Sequence, residues 1–263
     1  MTILAGVDLA WTTTHESGVC LIASEGVDAP VSLLSLESRR VSARGLADEL
    51  ASLGADVVAA IDAPLIRRDG CVAERELGRA FGRFKAGAYL ASVAFLESRK
   101  PPLTAGLLLG EALCARGFEL DPLRLRPAGD GRFALEMYPH AFHVVAFGLS
   151  ERLAYKKGRR GRRLEAFAAY QAALRLLAAA LAPSLLHERA IAAVLDGEAL
   201  RAHGAALKSL EDRLDAFTCA LAALTAWRLG IEPADVFGDR RTGYIAVPGL
   251  HREPRFMARM MSG

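Results

Sequence analysis

Two hydrophobic rhythms alternate along the chain: short apolar runs closed by turn formers, and longer stretches in which apolar residues recur every third or fourth position. Residues 3–7 are apolar and end at Asp8, and the runs 18–23 and 31–36 follow across turn-forming residues, a spacing that predicts three strands in an antiparallel meander. Ser42 can cap a helix carrying Leu46, Leu50 and Leu53, which Gly54 stops. Residues 57–61 form another apolar strand, ending at Asp62. Because a strand, helix, strand connection is a right-handed crossover between parallel strands, this segment is expected to lie parallel to an earlier one. Open α/β sheets place their chemistry at strand carboxyl ends, where both aspartates fall.

Residues 67–130 read as helices and loops, punctuated by Gly70, Pro101-Pro102 and Pro122, and predict an insertion rather than a second domain. A third apolar strand, 133–137, carries Glu136, and Tyr138-Pro139 opens the next helix with proline in its favoured first turn. Long helices are predicted over 162–181 and about 210–229; in the second, Leu210, Leu214, Phe217, Leu221 and Leu224 define a buried stripe. Residues 243–247 suggest an edge strand, and the basic tail from His251 suggests mobility.

With 263 residues, 52% of them hydrophobic, the chain can bury the core of one large domain. Met1-Thr2-Ile3 has no basic leader, and the longest helical apolar stretches, 176–182 and 216–226, fall short of the roughly 18 to 20 residues a membrane crossing needs, so a cytoplasmic protein is expected. Cys20, Cys71, Cys114 and Cys219 are widely separated and read as reduced core thiols rather than a zinc site or disulfide framework. A formal charge of +3 does not by itself argue for nucleic acid.

Carboxylates recur where chemistry is expected. Asp8, Asp62 and Glu136 each close an apolar strand, and like charges crowded there repel unless a cation lies between them. Hard oxygen ligands of this kind favour Mg²⁺ or Mn²⁺. On the last helix Asp212 and Asp215 share one face and could reach the same point. Asp212 has a plain alternative as the last member of a capping box with Ser209, whereas Asp215 lies deeper in the helix. Asp8 could equally cap a turn with Thr12 to Thr14, and Asp62 could be a turn residue before Ala63-Pro64.

The segments Gly6-Val7-Asp8-Leu9-Ala10-Trp11, Ile61-Asp62-Ala63-Pro64-Leu65, Glu136-Met137-Tyr138-Pro139-His140, Glu211-Asp212-Arg213-Leu214-Asp215-Ala216 and Gly243-Tyr244-Ile245-Ala246-Val247-Pro248 occur in an order that resembles the DUF429 family, regarded as predicted ribonuclease-H-like nucleases. The resemblance implies a single ribonuclease-H-like α/β domain over 1–263. It also implies a mixed five-stranded sheet with helices on both faces, and Asp8, Asp62 and acids of the final helix meeting over the sheet. After the second motif the family has a more polar Arg-x-Cys-Asp stretch; here Ile66-Arg67-Arg68-Asp69-Gly70-Cys71 is looser, so Arg67 and Cys71 do not carry over.

The expected reaction is phosphodiester hydrolysis of nucleic acid, with Asp8, Asp62, Glu136 and Asp215 as catalytic carboxylates. Together with Asp212 they would hold two Mg²⁺ or Mn²⁺ ions about 3.5 to 4 Å apart. Six basic residues, Lys156, Lys157, Arg159, Arg160, Arg162 and Arg163, crowd a glycine-containing segment that would engage a phosphate backbone or simply be a solvated loop. That segment has no interleaved aromatic residues to stack on single-stranded bases. His140 and His143, at helical spacing, read as surface or capping residues, and no nucleophile stands in a recognisable triad. A sugar-kinase or actin-like phosphotransferase is the alternative suggested by Gly6-x-Asp8 and Thr12-Thr13-Thr14. A non-catalytic metal- or nucleotide-binding regulatory module is another. Alanine-rich helices permit a homodimer without requiring one.

Overall fold

A computed structural model describes residues 1–12, 14–66, 70–156 and 158–252. Three strands, β1 (Thr2–Asp8), β2 (Ser17–Ser24) and β3 (Val31–Arg39), form the expected antiparallel meander. Helix α1 (Ala43–Ser52) begins where Ser42 Oγ accepts the Gly45 N–H, and it returns the chain to β4 (Val57–Asp62), which runs parallel to β1. Helices α2 (Val72–Phe81), α3 (Val93–Ser98) and α4 (Ala105–Cys114) lie between β4 and β5 (Arg132–Glu136), which is parallel to β4. The strand order is β3-β2-β1-β4-β5, the mixed five-stranded α/β sheet expected.

Four helices complete the chain: α5 (Pro139–Ala146), α6 (Arg160–Leu181), α7 (Arg189–Leu195) and α8 (Ala205–Leu229). The segment expected at the sheet edge is instead β7 (Gly243–Ala246), paired antiparallel with β6 (Val236–Asp239) in a separate two-stranded sheet; a single bridge from Ala246 to Met137 ties it to the end of β5. Most of the basic tail, 253–263, lies outside the described residues, as do Arg67 and Lys157.

Strand side chains alternate between two faces, and the core divides accordingly. Ile3, Ala5, Val7, Ala59, Ile61 and Ala134 join a cluster with Leu46 and Leu50 of α1 and with Leu109 and Leu113 of α4. Leu4, Val58, Ala60, Phe133 and Leu135 join the larger cluster built on α5, α6 and α8. The stripe of α8 predicted from its periodicity is buried in full. α6 buries Phe167, Tyr170, Leu174, Leu177 and Leu181 in the same core. An 18-residue window of this helix, with mean hydropathy 1.3, is long and apolar enough for a membrane crossing by length and composition only, a test that a core helix also passes. Cysteine burial also departs from expectation at one position: Cys20, Cys71 and Cys219 are buried, but Cys114 is exposed at the end of α4.

Two glycines set the distance between sheet and helix. A Cβ at Gly6 would lie 2.0 Å from the Ala216 carbonyl oxygen and 2.1 Å from the Ala220 nitrogen, and one at Gly18 would lie 2.0 Å from the Asp212 carbonyl oxygen. The backbone of α8 therefore rests directly on β1 and β2, with the turn at Asp212 above Gly18, the cross-strand neighbour of Asp8. Neither neighbour can yield, because both are helix backbone. Gly6→Ala is expected to cost about 3 kcal/mol or more by overpacking, read as a lowered urea midpoint with an unchanged slope.

Candidate active site

β1 and β4 end together. Asp8 and Asp62 are register partners on adjacent parallel strands, so their α-carbons are about 4.8 Å apart. Gly6, two residues before Asp8, faces α8, and Ala60, two before Asp62, belongs to the core under α8. Period-two alternation therefore turns both carboxylates toward α8, at the floor of a cleft of 1170 Å³. Burial holds the Asp8 carboxyl well above the usual carboxylate range, and the nearby Asp215 and Asp62 push it further. Burial, reinforced by Asp215, raises the Asp62 carboxyl to about 6.

The cation opposing them is Lys156. Its Nζ lies 2.8 Å from Asp215 Oδ2. Burial alone would lower this ammonium, but the combined attraction of Asp215, Asp8 and Asp62 holds it well above its ordinary value. Asp215 is fully buried and is held from the other side by the Tyr155 hydroxyl, which donates at 2.7 Å, and by the Tyr170 hydroxyl at 3.0 Å. Burial would raise Asp215, yet Lys156 and the tyrosine keep it below the usual range, as an anion. Asp215 is thus the anchor of Lys156 rather than a residue of the cleft wall.

Asp212 does line the cleft, with Lys208 Nζ 2.6 Å from its Oδ1 and the Ser38 hydroxyl 3.2 Å from its Oδ2. It caps nothing: α8 begins at Ala205 and its cap is Gly204, placing Asp212 in the second turn. Glu136 departs from the expected cluster. It is in register with Ile61, not Asp62, and so projects to the opposite face, where its Oε2 accepts the Leu65 N–H at 3.1 Å. A strand acid one position out of phase with its neighbours ends on the wrong side of the sheet.

Among the described residues no group of three or more His, Cys, Asp or Glu side chains converges to hold a metal ion, so the expected five-carboxylate, two-ion cluster is not assembled. What converges is a pair, Asp8 and Asp62. The pair fits a hard divalent cation in donor chemistry: two adjacent oxygen acids on one face of the sheet, opening onto the same cleft. Magnesium commonly takes only one or two carboxylates, completing its shell with water and substrate phosphate.

The basic segment does not act as one unit. Lys156 turns inward, the Arg163 Nε donates to the Tyr155 carbonyl at 3.1 Å, and Arg160 contacts His203; Arg159 and Arg162 are exposed. The two histidines are buried, not superficial. His143 sits within the aromatic group of Tyr155, Tyr170 and Phe147, and burial pushes it down to about 3; burial, followed by the Lys156 charge, brings His140 down to about 4. Sequence reasoning missed this neutral aromatic packing beneath Asp215. Its one trace in the sequence is Tyr155, an aromatic residue directly ahead of the basic run.

Comparison with known proteins gives a family match: a model described as "Protein of unknown function (DUF429)" matches residues 6–237. No curated protein and no solved structure matches the chain.

Two outcomes follow from this electrostatics. Removing Lys156 leaves the fully buried Asp215 anion without its ion-pair partner, so Lys156→Gln is expected to lose about 3 to 5 kcal/mol of stability, measured by urea unfolding without divalent cations. Asp62 binds its proton more tightly folded than unfolded, so its contribution falls as pH rises from about 4 through 6. His140 and His143 bind theirs less tightly folded, and their contribution rises over the same interval. Asp62→Asn isolates the first effect. The melting temperature of the variant relative to the parent should be near zero difference at pH 4 and several degrees higher at pH 7.

Proposed function

The chain belongs to the DUF429 family, whose description leaves activity open, and from its site we propose a metal-dependent hydrolase that cleaves phosphodiester bonds of nucleic acid in the cleft above Asp8 and Asp62. One observation carries this reading. Two half-buried carboxylates stand side by side at the carboxyl ends of adjacent parallel strands, face the same way, and open onto a cleft large enough for a nucleotide unit.

Asp8 and Asp62 would hold Mg²⁺ or Mn²⁺, with Asp212, which lines the same cleft, as a further oxygen donor once Lys208 releases it. When bound, such an ion supplies Lewis-acid polarisation of the phosphoryl oxygens and an acidified water. The chain's own residues account for the remaining roles. Lys156 and Lys208 contribute positive charge within the cleft, and Arg152 adds a third cation at its edge, so that a phosphate meets attraction beyond the acidic floor. Asp62, held up to about 6 by burial in the free protein, would lose its proton as the cation binds and then serve as a ligand. The Asp215 anion, clamped by Tyr155 and Tyr170, keeps Lys156 from leaving the floor entirely.

The test combines binding and turnover. Purified protein incubated with Mn²⁺ or Mg²⁺ and end-labelled RNA, DNA and hybrid substrates should give cleavage that falls at least 100-fold in Asp8→Asn and Asp62→Asn. Mn²⁺ should raise the melting temperature of the parent but not of Asp8→Asn. A folded parent protein that neither binds Mn²⁺ nor cuts any substrate overturns the proposal.

A further inference from the structure

The cleft has a second wall, supplied by the insertion, whose chemistry is unlike the acidic floor. Tyr89 presents 66% of its surface to solvent there, beside Phe95 at a ring-centroid distance of 5.5 Å. The Arg99 guanidinium lies 4.3 Å over the Phe95 ring, and Lys100 follows it at the same wall. Trp11, from the loop after β1, lines the cleft as well. Trp11 and Phe95 rest on a small apolar cluster of Ala91, Leu96 and Leu107. That cluster holds the aromatic wall in place independently of the main core.

We propose that this wall is a stacking platform for unpaired nucleobases, so that the substrate is single-stranded nucleic acid; the inference rests on reading the floor as a phosphodiester hydrolase site. The argument is one of complementarity. Every base has a flat apolar face, and only an unpaired strand can present it to an aromatic side chain, because a duplex keeps those faces stacked inside. Arg99 and Lys100 are the charged residues of the cleft lining between Gly87 and Leu103, so cations sit beside the rings where a backbone would run. The wall therefore meets bases and phosphates of one strand together, while the Asp8–Asp62 pair lies at the floor of the same cleft. A duplex would offer this wall only its outer backbone and leave Tyr89 without a partner.

Binding is read by fluorescence anisotropy of a labelled 12-nucleotide single strand and of the blunt duplex of the same sequence, with EDTA present to prevent turnover. The single strand should bind at least tenfold more tightly than the duplex. Tyr89→Ala, at an exposed position that does not threaten folding, should weaken single-strand binding about tenfold, the loss of one stacked base. Tyr89→Phe should stay within twofold, and duplex binding should be unchanged by either. Equal affinity for both forms, or no effect of Tyr89→Ala, overturns the platform. The two readings fail separately. Tyr89-dependent single-strand binding without any metal-dependent cleavage would leave the platform standing and remove the hydrolase. Metal-dependent cleavage indifferent to Tyr89 and to strandedness would do the reverse.

Discussion

The interaction on which the site depends is a single ammonium among three carboxylates. Asp8 and Asp62 are forced together by strand register, and Asp215 is forced toward them by the close seat of α8 on β1. Three acids in so little space cannot all remain charged unless something positive lies among them. Lys156 meets that requirement for Asp215 and only in part for Asp8 and Asp62, and the consequences spread outward. Tyr155 and Tyr170 turn their hydroxyls to Asp215, and the neutral imidazoles of His140 and His143 pack behind them at tilted angles. A divalent cation arriving at Asp8 and Asp62 would thus enter a site already partly neutralised, and its affinity would be set against the attraction the same carboxylates hold for Lys156.

The backbone architecture was legible from period and punctuation. The runs ending at Asp8 and Asp62, the cap at Ser42, the proline opening α5 and the stripe of α8 each follow from local chemistry that tertiary structure did not override. The site was legible only in part, because convergence depends on which face a residue takes. Asp8 and Asp62 are the last residues of strands in register, so they agree; Glu136 ends a strand whose register is offset by one, and a single-residue difference reverses its direction. No pattern within a strand reveals that offset. The same limit explains Lys156: composition places it in a basic run, whereas only the fold brings it to the carboxylates. The histidines of α5 went astray for a related reason. Their helical spacing suggested a surface, but α5 is covered by both α8 and the Tyr155 segment, so nearly its whole circumference is interior.

Sequence and structure also divide the cleft differently. The sequence places all the interest in acids and in one basic stretch. The structure adds the aromatic residues of the insertion, remote in sequence from both, and brings Trp11 across from the β1 loop to meet them. A segment that reads as filler between β4 and β5 becomes one side of the cleft. Its small cluster around Leu96 and Leu107 holds only a few apolar side chains, far fewer than the core beneath α8.

That difference in footing has a mechanical consequence. The floor is cast as one piece: with no Cβ at Gly6 or Gly18, helix and sheet are in backbone contact, and Asp8, Asp62 and Asp212 keep their mutual geometry as a fixed gauge. The facing wall is moored to it by a light apolar joint. With fewer apolar side chains under the wall than under the floor, local opening is expected to cost less on the wall side than at the acids. Selection for a wider or narrower entrance can then act on residues between Gly87 and Leu103 without retuning the electrostatics of the floor.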